Sequence, residues 1–165
     1  MRWAPELDDE RLLLDLINST PVTEAGPVDL LTEAWARERG GSGSAGEVDR
    51  LRRARDLLQS VVRGDAPAVV LEPLVREVRL RPEVLDTGLE WWPEVPEPDD
   101  RLAVRAVSTW SGLAERMAGR LRPCANDECR LFMLDRSHAN AARWCSMKSC
   151  GNRMKARRHY RRART

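Results

Sequence analysis

The residues best suited to chemistry in this sequence are four cysteines that lie between positions 124 and 150. They form two pairs with the same internal spacing, Cys124-x4-Cys129 and Cys145-x4-Cys150, with fifteen residues between the pairs. Zinc binds four thiolates tetrahedrally, and each closely spaced pair supplies half of such a site. We therefore predict one structural zinc ion held by all four cysteines, with no coordination position left open for a substrate water.

Two other states of the cysteines are compatible with their number, namely two disulfides or four free thiols. No apolar run approaches the roughly 18 residues of a membrane helix, and the N-terminus lacks the apolar segment of a signal peptide. We therefore expect a cytoplasmic protein, in which clustered cysteines more often hold metal than form disulfides. His138 and His159 are alternative ligands by residue type, but four thiolates already complete the site, so both are expected at the surface.

The segments around the cysteine pairs predict a small finger. Residues 131–134 and 141–144 are typical of two strands that pair across a turn at 135–140. Ser146 is suited to cap a helix from about 147 to 163. A knuckle, a hairpin and a helix that carries the last ligands form a treble-clef-like arrangement, and the start of such a helix favours anionic thiolates.

The helix predicted at the end of this finger is strongly basic. Residues 151–165 contain seven Lys or Arg and no acid, and residues 121–165 carry a net charge of +9 against −7 for residues 1–120. Contact with a polyanion relieves the repulsion within such a helix, and Arg pairs bidentately with phosphates and guanine edges. We predict nucleic-acid binding by Arg143, Lys148, Arg153, Lys155, Arg157, Arg158, Arg161 and Arg162.

Three alternatives to duplex DNA remain open at this point: a solvated tail, a protein-interaction adaptor that grips an acidic partner, and an RNA-binding protein. One helix in a major groove favours DNA, and the finger has few aromatic residues on which single-stranded bases would stack. Ala156, Tyr160 and Ala163 form a narrow apolar strip that we expect to pack on the finger.

Residues 1–120 predict a mainly helical domain, so the fold class is α+β and mostly α. Leu80–Leu85 and Leu89–Trp92 predict a β-hairpin, and we expect Trp91 and Trp92 to pack in the core beside it. The glycine- and serine-rich residues 40–46 predict a flexible loop. The helices are expected at 7–19 (where a strand is also compatible), 27–38, 47–63, 66–78 and 99–121, the last being the longest and the spine of the domain.

The first domain carries few signs of its own function. The sequence has no Gly-rich phosphate loop, Ser-His-Asp set or HExxH motif, so we do not expect an enzyme. Asp15 and Asn18 are candidates for binding an unknown small molecule, although capping and turn hydrogen bonds also explain them. The acidic body can either attract the basic tail or form a homodimer that brings two fingers to two half-sites.

The residues around the cysteines resemble the CGNR zinc finger family. They are Cys124-Ala125-Asn126-Asp127-Glu128-Cys129, Leu131-Phe132, Asp135, Trp144-Cys145-Ser146-Met147, and Cys150-Gly151-Asn152-Arg153 followed by Lys155-Ala156-Arg157-Arg158-His159. Residues 14–19 and the long helix before Cys124 resemble the ABATE domain that precedes this finger.

The resemblance implies a mostly α ABATE-like domain at 1–120 and a treble-clef finger at 121–165. It also implies DNA binding and transcription regulation with a link to stress. Arg130 departs from the family, in which a small residue or glycine is expected at this position. That departure leaves the metal site intact and adds one candidate contact.

Overall fold

The computed structural model describes residues 7–162, except for the side chains of Leu7, Arg158, Arg161 and Arg162. Helices and short hairpins are mixed along this part of the chain. The described helices are α1 (Leu7–Ile17), α2 (Glu33–Arg37), α3 (Ala45–Arg63), α4 (Arg101–Arg116) and α5 (Asn152–Arg162). Three antiparallel hairpins pair β1 (Val22–Thr23) with β2 (Gly26–Pro27), β3 (Arg79–Leu85) with β4 (Gly88–Glu94), and β5 (Leu121–Pro123) with β6 (Phe132–Leu134).

The hydrophobic core lies where α1, α3 and α4 pack together. Leu13, Leu16 and Ile17 of α1 are fully buried there, against Leu51 of α3 and Ala106 of α4. Burial of each large aliphatic side chain stabilises the fold by about 1.5–3 kcal/mol. The helix expected near 7–19 is therefore confirmed, and the strand alternative for this segment is wrong.

Helix α3 confirms the prediction for residues 47–63 and begins two residues earlier. The Ser44 hydroxyl caps its start by accepting a hydrogen bond from Glu47 N at 2.9 Å. Gly64 ends it with φ of 83°, a left-handed conformation that glycine adopts without a steric penalty. At 19 residues, α3 is longer than α4 at 16, so the expectation that the 99–121 helix is the longest is wrong.

The glycine- and serine-rich loop is held by several hydrogen bonds, in contrast to the flexible loop that its composition predicted. The fully buried Glu47 accepts a hydrogen bond through Oε2 from Gly43 N at 2.7 Å. Asp99 accepts hydrogen bonds from the hydroxyls of Ser42 and Ser44, both at 2.7 Å. These contacts join the loop to the segment that precedes α4, which composition alone does not reveal.

Other helices also differ from their predicted bounds, among them α4, which spans Arg101–Arg116 instead of 99–121. Helix α2 begins at Glu33 instead of residue 27, because Pro27 pairs with Val22 in the first hairpin and Thr32 caps the helix. Residues Ala68–Leu74, which include Pro73, form a 3-10 helix where a longer helix was expected.

The hairpin of β3 and β4 forms where the sequence predicted it, but it does not pack against the core as expected. Trp91 and Trp92 are 36% and 45% exposed and belong to no part of the core, so the expectation that they pack there is wrong. The hairpin extends from the body without another element packed across it among residues 7–162.

None of the described helices is long and apolar enough to cross a membrane.

Candidate metal centre

The four cysteines are held by two turns at the ends of short elements. Strand β5 ends directly before Cys124, whose N–H donates to Leu131 O at 2.9 Å, and Cys129 N closes the knuckle by donating to Asn126 O at 2.7 Å. Of the second pair, Cys145 precedes a single π-helical turn, Met147–Gly151, and Cys150 lies within it; Ser146 caps this turn by accepting from Ser149 N. This turn leads directly into α5.

The strand pairing around this centre differs from the prediction. Strand β6 pairs with β5, which precedes the first cysteine, and residues 141–144 form no strand. A single backbone bond, from Ala125 N to Arg143 O at 2.8 Å, joins the 141–144 segment to the knuckle. The expected hairpin of 131–134 with 141–144 is therefore wrong, because the chain before Cys124 pairs with β6 in place of residues 141–144.

The four sulfur atoms have the spacing of a tetrahedral metal site. All lie within 4.8 Å of one another, and Cys145 Sγ is 3.7 Å from both Cys129 Sγ and Cys150 Sγ. A zinc–sulfur bond of about 2.3 Å gives a tetrahedron whose sulfur–sulfur edges are about 3.8 Å long. The cysteines form no disulfide, since their sulfur atoms lie beyond disulfide bonding distance, and they can bind one zinc ion as predicted.

Two N–H groups point at the sulfur atoms and help to orient them. Asn126, which is buried, donates from Nδ2 to Cys150 Sγ at 3.5 Å, and Cys145 N donates to Cys124 Sγ at 3.4 Å. Such outer contacts orient metal ligands and tune their charge. In the sequence, Asn126 was noted only as part of the stretch that resembles the CGNR zinc finger family. Its position inside the Cys-x4-Cys knuckle was the available signal for a contact with a metal ligand.

The thiols differ in their acidity. Burial raises the pKa of Cys129 and of Cys145. Burial also acts to raise the pKa of Cys150, but the hydrogen bond from Asn126 and those from the neighbouring thiols outweigh it and lower that pKa. Because zinc binds thiolates, metal binding at this cluster releases protons and becomes weaker as the pH falls.

The two histidines take no part in this cluster. His138 and His159 are both exposed, and the group of possible metal ligands within residues 7–162 consists of the four cysteines alone. The expectation that both histidines lie at the surface is therefore confirmed.

A buried ion pair organises the loop between the two cysteine pairs. Asp135 accepts hydrogen bonds from Ser137 N at 2.8 Å and Ala142 N at 2.9 Å, and it also pairs with Arg122 of β5. The Ser137 hydroxyl is the main cause that lowers the pKa of Asp135, with the backbone N–H groups and Arg122 adding to it. Arg122 also donates to Ala142 O at 2.6 Å, so one arginine connects the knuckle strand to the far side of the loop. Sequence reasoning missed Arg122, which has no local motif.

Asn18 joins the helical body to the finger. Its Oδ1 accepts from Phe132 N at 2.7 Å and its Nδ2 donates to Phe132 O at 3.2 Å, as the peptide of a neighbouring strand would. The Phe132 ring enters the same core as α1, and the Arg63 guanidinium lies 4.5 Å from the centre of that ring. Asn18 was a candidate for ligand binding or turn bonding, and here it holds the edge of β6.

Asp15, the other candidate for a small ligand, pairs with Arg39 at 2.9 Å. It lines an open cleft of about 500 Å³ together with Asp8, Arg11 and Arg105. Arg39 also pairs with Glu38 of this cleft at 3.5 Å. A small-molecule ligand in the cleft stays a prediction.

The predicted nucleic-acid contacts lie around the metal centre, as far as the described residues reach. Arg143, Lys148, Arg153 and Lys155 are exposed. Arg157 is half-buried and donates from one nitrogen to both carboxylate oxygens of Glu128 at 2.6 Å. The side chains of Arg158, Arg161 and Arg162 lie outside the described residues.

The apolar strip expected on α5 does not pack on the finger. Ala156 is exposed and Tyr160 is 71% exposed, with its ring edge-on to His159 at a centroid distance of 6.1 Å. Ala163 lies outside the described residues. Met154, which is half-buried, lies on a different side of the helix from this strip.

Residues 120–163 match the family model of the CGNR zinc finger. The match spans both cysteine pairs, the Asp135 loop and the described length of α5, and it agrees with a site for one zinc ion. A search of the curated proteins gave no match to the chain. The CGNR zinc finger therefore accounts for the metal centre, and the helical body before residue 120 is described by its structure alone.

Proposed function

We propose that the protein is a zinc-dependent DNA-binding protein that regulates transcription, and that it contacts duplex DNA through α5 and the residues beside it. The observation that carries this proposal is that α5 starts directly at the zinc centre. Cys150 lies in the turn Met147–Gly151, and the helix continues from Asn152 with Arg153 and Lys155 exposed. A helix anchored in this way presents its charges in a defined direction.

The charge distribution supports the same proposal. Residues 121–165 carry a net charge of +9, and neutralisation of DNA phosphates releases condensed counterions. Glu128 holds Arg157 in place, and this ion pair lowers the pKa of Glu128, which therefore stays charged at neutral pH. In our proposal, a phosphate competes with Glu128 for Arg157 when DNA binds.

The role of zinc in this proposal is to fold the finger. Four thiolates fill a tetrahedral site, so no position remains for a substrate water, and we propose that the protein is not an enzyme. The treble-clef description of the finger, the ABATE-like nature of residues 1–120 and the link to stress belong to the same proposal. They are supported by the knuckle, the helix that begins at the last ligand, and the motif at 14–19 that contains Asn18.

The test is a titration of duplex DNA and of structured RNA with the full-length protein at several salt concentrations. If about five phosphates are contacted, the logarithm of the DNA affinity should fall with log salt at a slope of about −4 to −5. Lys155→Gln should reduce the steepness of that slope by about one and weaken all sequences alike. Arg53→Gln, a matched change at an exposed position of α3, should leave the slope unchanged.

Each result separates the proposal from its alternatives. Glu128→Gln should strengthen DNA binding, because Arg157 then no longer has to break an ion pair with Glu128 before it contacts a phosphate. A preference for structured RNA supports an RNA-binding protein, and retention by an acidic protein without DNA binding supports an adaptor. Full salt-sensitive DNA binding by a variant with Gln at positions 153, 155 and 157 would place the site away from α5.

A further inference from the structure

The four cysteines of the metal centre differ in how far they are exposed. Cys124 and Cys150 are buried, with 7% and 5% of their surface exposed, whereas Cys129 and Cys145 are half-buried. Cys129 and Cys145 belong to different pairs, and their sulfur atoms are 3.7 Å apart. The accessible edge of the centre is therefore the one that joins the two pairs.

An open cleft of about 650 Å³ reaches this edge of the metal centre from outside. Pro21 and Val22, at the start of the first hairpin, line one part of the cleft, and Cys129 and Cys145 line another. A cleft of this volume admits solutes much larger than a water molecule. Small polar molecules can therefore reach the sulfur atoms of both half-buried cysteines.

Cys145 differs from the other three cysteines in its hydrogen bonds. The sulfur atoms of Cys124, Cys129 and Cys150 each accept a hydrogen bond from an N–H group. Within residues 7–162, no N–H group donates to Cys145 Sγ, whose hydrogen-bond neighbours are other sulfur atoms. An N–H donor draws electron density from a thiolate, so the zinc-bound thiolate of Cys145 should be the most nucleophilic of the four.

We propose that Cys145 is the site at which hydrogen peroxide oxidises the metal centre, and that the product is a disulfide between Cys145 and Cys129. The Cys145 thiolate attacks the peroxide, the O–O bond breaks, Cys145 becomes a sulfenic acid, and hydroxide leaves. The Cys129 thiolate then attacks Cys145 Sγ, so that the S–S bond forms while the S–O bond breaks and a second hydroxide leaves. Two thiolates thereby give two electrons to one peroxide, and two protons from the solvent convert the hydroxides to water.

Cys129 is a better partner for this disulfide than Cys150, although both sulfur atoms lie 3.7 Å from Cys145 Sγ. The sulfur atoms of a disulfide are about 2.05 Å apart, so one of the residues has to move. Cys129 lies in a loop, whereas Cys150 is buried within the turn Met147–Gly151 and is bonded to Asn126. The disulfide removes two of the four thiolate ligands, so zinc should be released from the oxidised centre.

Trypsin digestion identifies the disulfide, because it separates the three cysteines that compete for it. Cleavage after Lys and Arg, except before Pro, places Cys129 with Cys124 on residues 121–130, Cys145 on 144–148 and Cys150 on 149–153. The zinc-loaded full chain is treated with a small excess of hydrogen peroxide, and the remaining thiols are blocked with N-ethylmaleimide in denaturant before digestion. Mass spectrometry should find 121–130 joined to 144–148 as the first product, with the blocking group on Cys124 and Cys150. A chromogenic chelator should record about one zinc ion released per disulfide.

A pair of matched variants tests the cleft as the route to Cys145. Val22→Trp places a large side chain in the wall of the cleft and should slow zinc release by peroxide at least about threefold. Val28→Trp, the same change at an exposed position that does not line the cleft, should leave the rate unchanged. Circular dichroism and zinc content before the reaction report whether each variant is folded, and the peptide map of the wild type decides the disulfide without either variant.

Four results would each overturn the proposal. They are a first disulfide between any other pair, zinc release without a disulfide, retention of zinc in peroxide, and equal rates in the two folded tryptophan variants. None of these measurements involves DNA, so their failure is distinguishable from a failure of DNA binding.

Discussion

Two hairpins of this molecule, β3–β4 and β5–β6, show opposite relations between strand length and burial. The hairpin of β3 and β4 has seven residues in each strand, yet both of its faces are largely exposed. The hairpin of β5 and β6 has three residues in each strand, yet Phe132 and Met133 are buried. Backbone pairing is similar in kind in both, so what differs is the surrounding structure.

The short hairpin is held by contacts from outside its own ladder. Phe132 lies opposite Pro123, so its backbone N–H and C=O point away from β5, and Asn18 bonds to both. Its ring is part of the core, and the first cysteine of the metal centre, Cys124, directly follows β5. The comparison teaches that a strand is stabilised by the layer against which it packs more than by its length.

The largest expected effect is that of Cys145→Ser. Structural zinc contributes apparent binding energies of about 10–16 kcal/mol to folding, so the loss of one ligand should release the metal and unfold the finger from residue 122 onward. Metal analysis should change from about one zinc per chain to none. Hydrogen exchange should accelerate in β5 and β6 and stay unchanged in β3, β4 and α4. A metal-free variant that keeps a protected β6 contradicts the dependence of the short hairpin on zinc.

Phe132→Ala should cost about 3–5 kcal/mol in the free energy of unfolding, because it removes a buried ring from a close-packed core. The matched change on the long hairpin is Val84→Ala, which should cost no more than about 0.5 kcal/mol in dilute protein, since that side chain is exposed. Denaturant titration of both variants measures the contrast. Similar losses for the two would show that the long hairpin is packed in the single chain.

Asn18→Ala should cost about 1–3 kcal/mol, because it leaves the N–H and C=O of Phe132 without their partner. Asn18→Asp keeps the acceptor for Phe132 N but places an oxygen against Phe132 O, so it should not restore the loss. Hydrogen exchange at the Phe132 amide, with unfolding curves for both variants, measures the effect. An unchanged amide in Asn18→Ala rules out Asn18 as the edge partner of β6.

The smallest expected effect is a pH dependence at Asp135. Its pKa is lowered in the folded protein, so its contribution to stability is present above the ordinary carboxyl pKa of about 4 and is lost as the pH falls through the lower folded value. The difference in unfolding free energy between the wild type and Asp135→Asn should therefore shrink below about pH 4. Zinc release in acid affects both proteins, so the difference between them isolates Asp135. A constant difference from pH 3 to pH 6 contradicts this assignment.

Much of the local structure could be predicted because its signals act over a few residues. The end of α3 at Gly64 and the turn of the long hairpin follow from capping and turn preferences, whereas the start of α3 was predicted two residues too late. The prediction of a flexible loop at 40–46 was wrong because the side chain of Glu47, just beyond the loop, points back into it and is buried there, where it accepts a hydrogen bond from Gly43 N. The composition of a loop indicates its intrinsic flexibility, but not the tertiary contacts that immobilise it.

The sequence by itself indicated the four candidate metal ligands, because two short cysteine spacings supply two half-sites, and the structure brings these four sulfur atoms together. The sequence also determined the core helices, whose apolar periodicity has one favourable way to be buried. Only the tertiary structure decided that β6 pairs with β5, that Asn18 completes its edge across 114 positions of chain, and that Trp91 and Trp92 face outward. These outcomes depend on which surfaces remain open after the helices pack, and no local pattern of residues encodes that shape.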